Sequence, residues 1–180
     1  MKILNFGSLN LDYVYSVSHF VQPGETISSL KRGIYCGGKG LNQSIAVARA
    51  GTEVYHAGKV GANCGLLLDS LRNAGVDTQY IARDSSEETG HTVIQVDPRG
   101  QNCIIVYGGT NQKITSAEID ATLSHFGESD ILLLQNEINA IPEIMEKAYR
   151  RGMQIAFNPS PVGAGFHGWL LQSVQMVFHQ

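Results

Sequence analysis

Residues 36–51 read Cys-Gly-Gly-Lys-Gly-Leu-Asn-Gln-Ser-Ile-Ala-Val-Ala-Arg-Ala-Gly. Three glycines and one lysine occupy positions 37–40, and a run of helix-favouring residues follows until Gly51. Glycine has no Cβ, so the backbone can approach a ligand closely. A helix that begins just behind the glycines offers N–H groups and a partial positive charge. A plain structural role explains this composition poorly, and the pattern favours binding of an anion or of the hydroxyls of a small polar ligand.

Short apolar runs alternate with helical patterns on both sides of this stretch. The candidate strands are 3–7, 54–60, 78–81, 130–134, 153–157 and 174–178, and the candidate helices are 40–50, 64–74, 116–126, 141–151 and 166–172. Residues 131–134 are apolar throughout, which is typical of a parallel strand covered by helices on both faces. Thr115 to Glu118 fits a capping box, and Asn139 is a candidate cap for the following helix, with Pro142 in its first turn. The alternation predicts an α/β fold with a doubly wound, mostly parallel sheet.

Two segments, approximately 12–36 and 90–109, have strand-like content without helices between the strands. Residues 91–107 fit a hairpin whose turn is Asp97-Pro-Arg-Gly100. We therefore expect a small antiparallel sheet beside the main one. Such a sheet would cover a site at the carboxyl ends of the main strands, and one of its faces could pair with a second subunit.

Composition excludes several classes of protein. The 180 residues are 43% hydrophobic, and 16 acidic against 13 basic residues give a net charge of −3. We expect no nucleic-acid partner, because no basic stripe is present, and no membrane span, because no apolar run reaches about 18 residues. The N-terminus does not fit a signal peptide. Cys36, Cys64 and Cys103 are odd in number and far apart, so we expect neither disulfides nor a zinc site, and a cytoplasmic location.

Two glycine motifs suggest other functions. Residues 33–39 fit the first part of a P-loop, but Gly40 stands where Mg²⁺ binding needs Ser or Thr. Residues 163–168 fit a dinucleotide fingerprint, as in an NAD-dependent dehydrogenase. Pro159 and Pro161 separate that motif from the preceding strand, and no acidic residue can follow at about 20 positions. Neither interpretation is favoured.

Polar residues follow two of the predicted strands. Asn10 and Asp12 come after the first strand, and Glu137 comes after strand 130–134. Because open α/β sheets bind ligands at the carboxyl ends of their strands, we expect these side chains to meet near the glycine cluster. Two carboxylates, amides and glycine N–H groups suit a polyol or sugar. The alternatives are a solvated Asp12 and a helix-capping Glu137.

Several motifs in order resemble the ribokinase-like family, also called the phosphofructokinase B family of sugar kinases. They are Gly7-Ser8-Leu9-Asn10-Leu11-Asp12, Pro23-Gly24-Glu25-Thr26, residues 37–51 and Asn158-Pro159-Ser160-Pro161. The resemblance covers essentially all of residues 1–180. It implies the N-terminal part of one ribokinase-like domain, with a β-lid formed by segments 12–36 and 90–109, through which such enzymes often dimerise.

The resemblance also implies a chemistry. Members of the family transfer the γ-phosphoryl group of ATP to a sugar hydroxyl with Mg²⁺, and a monovalent cation can assist. By position, the sugar-binding residues would be Asn10, Asp12, Gly38, Lys39, Gly40, Asn42 and Glu137. The Asn10-x-Asp12 pair and Glu137 favour ribose over a phosphorylated fructose.

The chain departs from the family in more than one respect, and members of the family normally run to about twice its length, so we expect the C-terminal part of the fold to be missing. The family's second signature, a Gly-Ala-Gly-Asp turn with the catalytic base, is absent, since Gly163-Ala-Gly165 is followed by Phe166. We expect the base, the ATP site and the cation loop beyond Gln180, and hence no catalytic, cofactor or metal residues here. Negligible kinase activity of the chain alone follows. The alternatives are a non-catalytic sugar-binding or self-associating protein, and a nucleoside kinase.

Overall fold

A computed structural model describes residues 1–161, 174 and 176–177 of the chain. In chain order the strands are β1 Ile3–Phe6, β2 Asn10–Ser16, β3 Lys31–Gly37, β4 Val54–Val60, β5 Asp77–Arg83, β6 His91–Val96, β7 Asn102–Tyr107, β8 Ile131–Gln135, β9 Gln154–Asn158 and β10 Met176–Val177. The helices are α1 Lys39–Arg49, α2 Gly65–Asn73, α3 Ser116–Leu123 and α4 Ile141–Arg150, with a 3₁₀ turn at Gly109–Gln112.

Within the described residues the main sheet contains six strands in the order β10-β9-β8-β1-β4-β5, and all of their pairings are parallel. Helices cover both faces. Leu132 and Leu134 pack with α3 and α4, while Leu67 and Leu71 of α2 belong to a second apolar cluster together with Leu41 of α1. The predicted doubly wound, mostly parallel α/β sheet is confirmed.

A second sheet, which we call the lid, has the order β3-β2-β6-β7. Two of its pairings are antiparallel, as predicted, but β2 and β6 pair in parallel, so the lid is a mixed sheet. The predicted turn between β6 and β7 forms, and the Asp97 carboxylate accepts the backbone N–H groups of Arg99 and Gln101, each at 2.9 Å. Strand β2 continues directly from the end of β1, so the lid stands over the carboxyl edge of the main sheet.

Of the two helix caps predicted from the sequence, the one for α3 is confirmed and the one for α4 is wrong. Thr115 and Glu118 form the predicted capping box of α3. The prediction that Asn139 caps α4 is wrong, because the capping position is Ala140, at φ 59°. Asn139 instead accepts the N–H of Ile114 at 3.0 Å and donates to its C=O at 2.8 Å. Because the Asn139 amide is bonded to the N–H and the C=O of Ile114, it is not available to cap α4.

The C-terminal predictions lie mostly outside the described residues. Helix 166–172 and the glycine motif at 163–168 fall there, and of strand 174–178 the described part, Met176–Val177, is β10. Among the helices that are described, none is long and apolar enough to cross a membrane.

Candidate functional site

The N-terminus of α1 docks closely against the end of β1. A Cβ at Gly40 would lie 2.3 Å from the Ser8 backbone nitrogen and 2.5 Å from the Gly7 carbonyl carbon. Gly38, the residue before the helix, has φ 96°, a conformation that side chains disfavour. The expectation that a structural role explains these glycines poorly is therefore wrong, because packing and backbone geometry require both of them.

Glu137 and Ser8 together satisfy the first N–H groups of α1, which has no side-chain cap of its own. Lys39 N donates to Glu137 Oε2 at 2.8 Å, and Gly40 N donates to Ser8 Oγ at 3.2 Å. Leu41 N donates to the Ser8 carbonyl at 3.0 Å. The Ser8 hydroxyl in turn donates to Glu137 Oε2 at 2.5 Å. A carboxylate at this position also gains from the positive end of the helix dipole.

The two carboxylate oxygens of Glu137 have different surroundings. Oε2 accepts both the Ser8 hydroxyl and the Lys39 N–H, whereas Oε1 lies 3.5 Å from Lys39 Nζ. A separation of 3.5 Å is an ion pair rather than a close hydrogen bond. Glu137 thus caps the helix with one oxygen and keeps the other available for a further hydrogen bond.

Asp12 lies on β2, half-buried beside the glycine cluster. Its Oδ1 accepts the Thr92 hydroxyl at 2.7 Å, and a Cβ at Gly37 would lie 2.0 Å from Oδ2. Burial raises the pKa of the Asp12 carboxyl, and the negative charge of Glu137 raises it further, while the Thr92 hydrogen bond opposes the shift. Asp12 lies against Gly37 and Glu137 accepts the Lys39 N–H, so the two carboxylates face the same region.

Asn10 is buried at the junction of β1 and β2, and it pairs with Gly37 across the lid. Its Oδ1 accepts a hydrogen bond of 2.8 Å from Nδ2 of Asn111. Asn42, by contrast, lies in the first turn of α1 with an exposed side chain, and its backbone N–H donates to Gly38 O at 3.1 Å. The structure thus brings Asn10, Asp12, Lys39 and Glu137 to one edge, with Asn42 at its rim.

A buried chain of polar groups lies beneath this edge. Asn5 Nδ2 donates to Gly40 O at 2.7 Å and to Ser44 Oγ at 2.8 Å. Ser44 Oγ lies 2.7 Å from His56 Nδ1, and His56 Nε2 lies 3.2 Å from Gly7 O. Burial lowers the pKa of His56 to about 4. The chain joins the backbone of α1 to the backbone at the end of β1.

Sequence reasoning missed Ser8, Thr92 and Asn111. Ser8 lies inside one of the quoted motifs, and its place directly after a buried strand is the signal that could have found it. Thr92 and Asn111 lie 80 and 101 residues from the side chains that they bind, so no local pattern indicates them.

A cleft of about 400 Å³ lies on the opposite side of β2, lined in part by Tyr13, Glu88 and His91. Tyr13 and Asp12 are neighbours on one strand, so their side chains point to opposite faces of the lid. The cleft is therefore separate from the edge that holds Asp12 and Glu137. Across the described ranges, no group of three or more His, Cys, Asp or Glu side chains could hold a metal ion.

Comparison with known proteins gives a consistent result. A family model described as pfkB family carbohydrate kinase matches residues 1–162. The ribokinase of Haemophilus influenzae is 33% identical over 161 residues, which are 86% of this chain and 52% of that protein. The chain thus spans about half the length of this curated relative.

Two solved structures have the same fold. The ribokinase of Thermotoga maritima superposes with a TM-score of 0.85 at 34% identity, over 97% of this chain and 58% of that one. The ribokinase of Arabidopsis thaliana, complexed with ribose and ATP, gives a TM-score of 0.82 at 26% identity, over 98% of this chain and 58% of that one.

Proposed function

The chain belongs to the pfkB family of carbohydrate kinases, and we propose that it forms the sugar-binding part of a kinase that phosphorylates a ribose-like sugar with ATP. The relatives named ribokinase support this choice of sugar, and one of them was solved with ribose and ATP. The observation that carries the proposal is the pair of carboxylates, Asp12 and Glu137, held by hydrogen bonds at one edge of the sheet.

The edge offers complementary groups for neighbouring sugar hydroxyls. Ionised carboxylates only accept hydrogen bonds, so Asp12 and Glu137 would take hydroxyl protons. The Lys39 ammonium only donates, and the Asn10 amide can do both. Gly38 leaves room for close approach of the sugar, and Asn42 would contact it from the rim. Gly40 would contribute indirectly, because its N–H already serves Ser8.

Charge favours an unphosphorylated sugar over a sugar phosphate. The ammonium of Lys39 is paired with Glu137, and Asp12 adds a second carboxylate to the same region. A phosphate placed there would face two negative charges with one shared cation, which Coulomb repulsion disfavours.

The transfer step needs parts that the described residues do not supply. Phosphoryl transfer depends on Mg²⁺, on charge stabilisation and on a base that accepts the hydroxyl proton. The family's second signature, which carries the base, does not occur in this sequence, and we propose that ATP, Mg²⁺ and any monovalent cation bind to parts of the protein other than the sugar edge. This chain alone should bind sugar without measurable turnover.

We also propose that the lid pairs with a second copy. On one face of the lid, paired positions of neighbouring strands expose Ile34 at 44%, Val93 at 36% and Ile105 at 66%. Contiguous apolar surface of this kind marks interaction sites. Ile105→Lys should shift the protein from dimer to monomer in analytical ultracentrifugation. A monomeric unaltered chain would contradict the pairing.

The cytoplasmic location stays a prediction from the sequence.

Calorimetric titration with ribose, fructose and adenosine tests the substrate. We expect heat with ribose, and Asp12→Asn should weaken binding by about 1–3 kcal/mol, the scale of hydrogen bonds to charged groups. Asp69→Asn, which alters an exposed carboxylate on α2, is the matched control. Binding of adenosine alone would favour a nucleoside kinase. Folded protein that binds none of the three would overturn the proposal.

A further inference from the structure

Asn111 holds the peptide of Leu9 with both ends of its amide. Its Oδ1 accepts Leu9 N–H at 3.0 Å, and its Nδ2 donates to Leu9 O at 3.2 Å. The same Nδ2 donates to Asn10 Oδ1 at 2.8 Å. Asn111 is 2% exposed and follows the lid strand β7, so it ties the end of the lid to the point where the chain first enters it.

The orientation of the Asn10 amide follows from elementary donor and acceptor rules. A backbone N–H can only donate, so the Asn111 atom that faces Leu9 N is the oxygen. The other Asn111 atom is then the NH₂ group, as its contact with the Leu9 carbonyl also requires. The Asn10 atom that receives this NH₂ must be an acceptor, namely Oδ1. The assignment does not depend on telling oxygen from nitrogen by shape.

The NH₂ group of Asn10 has no acceptor among the residues that the structure describes. Within residues 1–161, 174 and 176–177 no hydrogen bond from Asn10 Nδ2 is formed, although the residue is only 5% exposed. Asn10 and Asp12 are two positions apart on β2, so their side chains share one face of the lid. Gly90 closes the other side, since a Cβ there would lie 2.1 Å from Asn111 Nδ2 and 2.4 Å from Asn10 Oδ1.

We propose that Asn111 is a positioning residue that sets sugar specificity, by turning the Asn10 amide so that its NH₂ donates to a sugar hydroxyl beside Asp12. The proposal rests on the sugar-binding function proposed above. Asp12 and Glu137 can only accept hydrogen bonds while ionised. If the Asn10 amide were reversed, its oxygen would face the sugar as a third acceptor. The sugar hydroxyl beside it would then no longer receive a hydrogen bond from the Asn10 NH₂ group.

Asn111→Asp tests this with almost no change of shape. The carboxylate can still accept Leu9 N–H but has no NH₂ for Asn10, so the Asn10 amide should reverse and present its oxygen to the sugar. Ribose affinity should fall about tenfold in calorimetry, the scale of one lost hydrogen bond near a charged group. Asn139→Asp is the matched control, because the Asn139 side chain holds Ile114 with the same two bonds and forms none with Asn10, while its backbone N–H, which donates to Asn111 O, is unaltered. It should leave ribose affinity within about twofold.

The selectivity for fluorinated sugars separates positioning from a structural role. A deoxyfluoro sugar keeps an acceptor at the altered position but cannot donate. The unaltered chain should therefore tolerate fluorine at the hydroxyl read by Asn10, whereas Asn111→Asp should reject it, so the affinity ratio to ribose changes for one of the monodeoxyfluoro riboses. In an Asn10→Ala background, Asn111→Asp should cost nothing further. Equal losses for ribose and every fluoro analogue, or full additivity with Asn10→Ala, would overturn the proposal.

A measurement without sugar keeps the two proposals apart. In the unaltered chain, an NMR scalar coupling across the hydrogen bond should join Asn111 ¹⁵Nδ2 to Asn10 ¹³Cγ. Absence of that coupling in folded protein would overturn the assigned orientation even if ribose binds. Presence of the coupling in a chain that binds no sugar would overturn the proposed function, and with it the role of Asn111 in specificity.

Discussion

Acid should destabilise this protein through the buried side chain of His56. His56 is fully buried, with Nδ1 2.7 Å from Ser44 Oγ and Nε2 3.2 Å from the Gly7 carbonyl. A carbonyl only accepts, so Nε2 carries the proton and Nδ1 accepts the Ser44 hydroxyl. The neutral ring satisfies both partners. A second ring proton would face a hydroxyl whose own proton is directed at it, and the ring has no exposure to solvent.

The pKa of His56 sets the size of the effect. Burial lowers it from 6.5 to about 4, so between these values the unfolded chain binds a proton that the folded chain does not. The free energy of unfolding is therefore highest above pH 6.5 and declines as the pH falls towards 4. One pKa unit corresponds to about 1.4 kcal/mol, so the full loss is about 3 kcal/mol, of which about 2 kcal/mol falls between pH 7 and pH 5.

Urea denaturation at pH 7 and pH 5 measures this loss. With a slope of about 2 kcal/mol per molar urea, the contribution of His56 lowers the midpoint by about 1 M. His56→Gln keeps an N–H for Gly7 but does not titrate. Between pH 7 and pH 5, the urea midpoint of this variant should therefore fall by about 1 M less than that of the unaltered chain. His125→Gln, at an exposed position, should behave like the unaltered chain. Equal acid sensitivity of His56→Gln and the unaltered chain would refute the reasoning.

Three further perturbations follow from the site. Gly40→Ala places a Cβ 2.3 Å from the Ser8 nitrogen, and urea denaturation should show a loss of about 1–3 kcal/mol. Gly65→Ala, where a Cβ meets nothing within 4 Å, should not destabilise the chain. Ser8→Ala removes the hydroxyl that donates to Glu137, so calorimetry should show a several-fold loss of ribose affinity with the fold retained. Ribose affinity should also fall on acidification through the raised pKa of Asp12, because a protonated carboxyl loses acceptor capacity, and Asp12→Asn should remove that dependence.

Each of these has an outcome that would contradict it. If Gly40→Ala is as stable as Gly65→Ala, the contact between α1 and β1 does not require glycine. Undiminished affinity in Ser8→Ala would mean that Glu137 is held well enough by α1 alone. A pH profile that survives in Asp12→Asn would assign the titration to another group.

Strands such as β8 and β9 could be predicted because each is a short, mostly apolar run. Strand β4 has the predicted bounds, and α1 begins and ends one residue before the predicted helix. The lid was harder, because the parallel pairing of β2 with β6 joins residues about 80 positions apart. Apolar alternation locates a strand but does not identify its partner.

The candidate site shows the same division. That Asn10, Asp12 and Glu137 gather at one edge follows from a rule about strand ends, which needs only the order of the elements. The sequence does not show that Asn111 orients the Asn10 amide or that Asn139 binds Ile114. Both residues are asparagines in short connecting segments, and their local sequences do not distinguish the two roles. Which peptide an amide finds depends on tertiary packing, as the failed prediction for Asn139 shows.

The glycine stretch has a different function from the one that its sequence suggests. The N–H groups of α1 were expected to receive a ligand, but Lys39, Gly40 and Leu41 donate to Glu137 and Ser8 instead. The glycines allow α1 to approach β1 closely enough for this capping to occur. The helix dipole then stabilises a carboxylate of the protein itself, and the hydrogen bonds from Ser8 and Lys39 hold Glu137 in place. A helix N-terminus that is already occupied by a carboxylate has little left to attract a further anion, which supports the proposed preference for a neutral sugar over a phosphate.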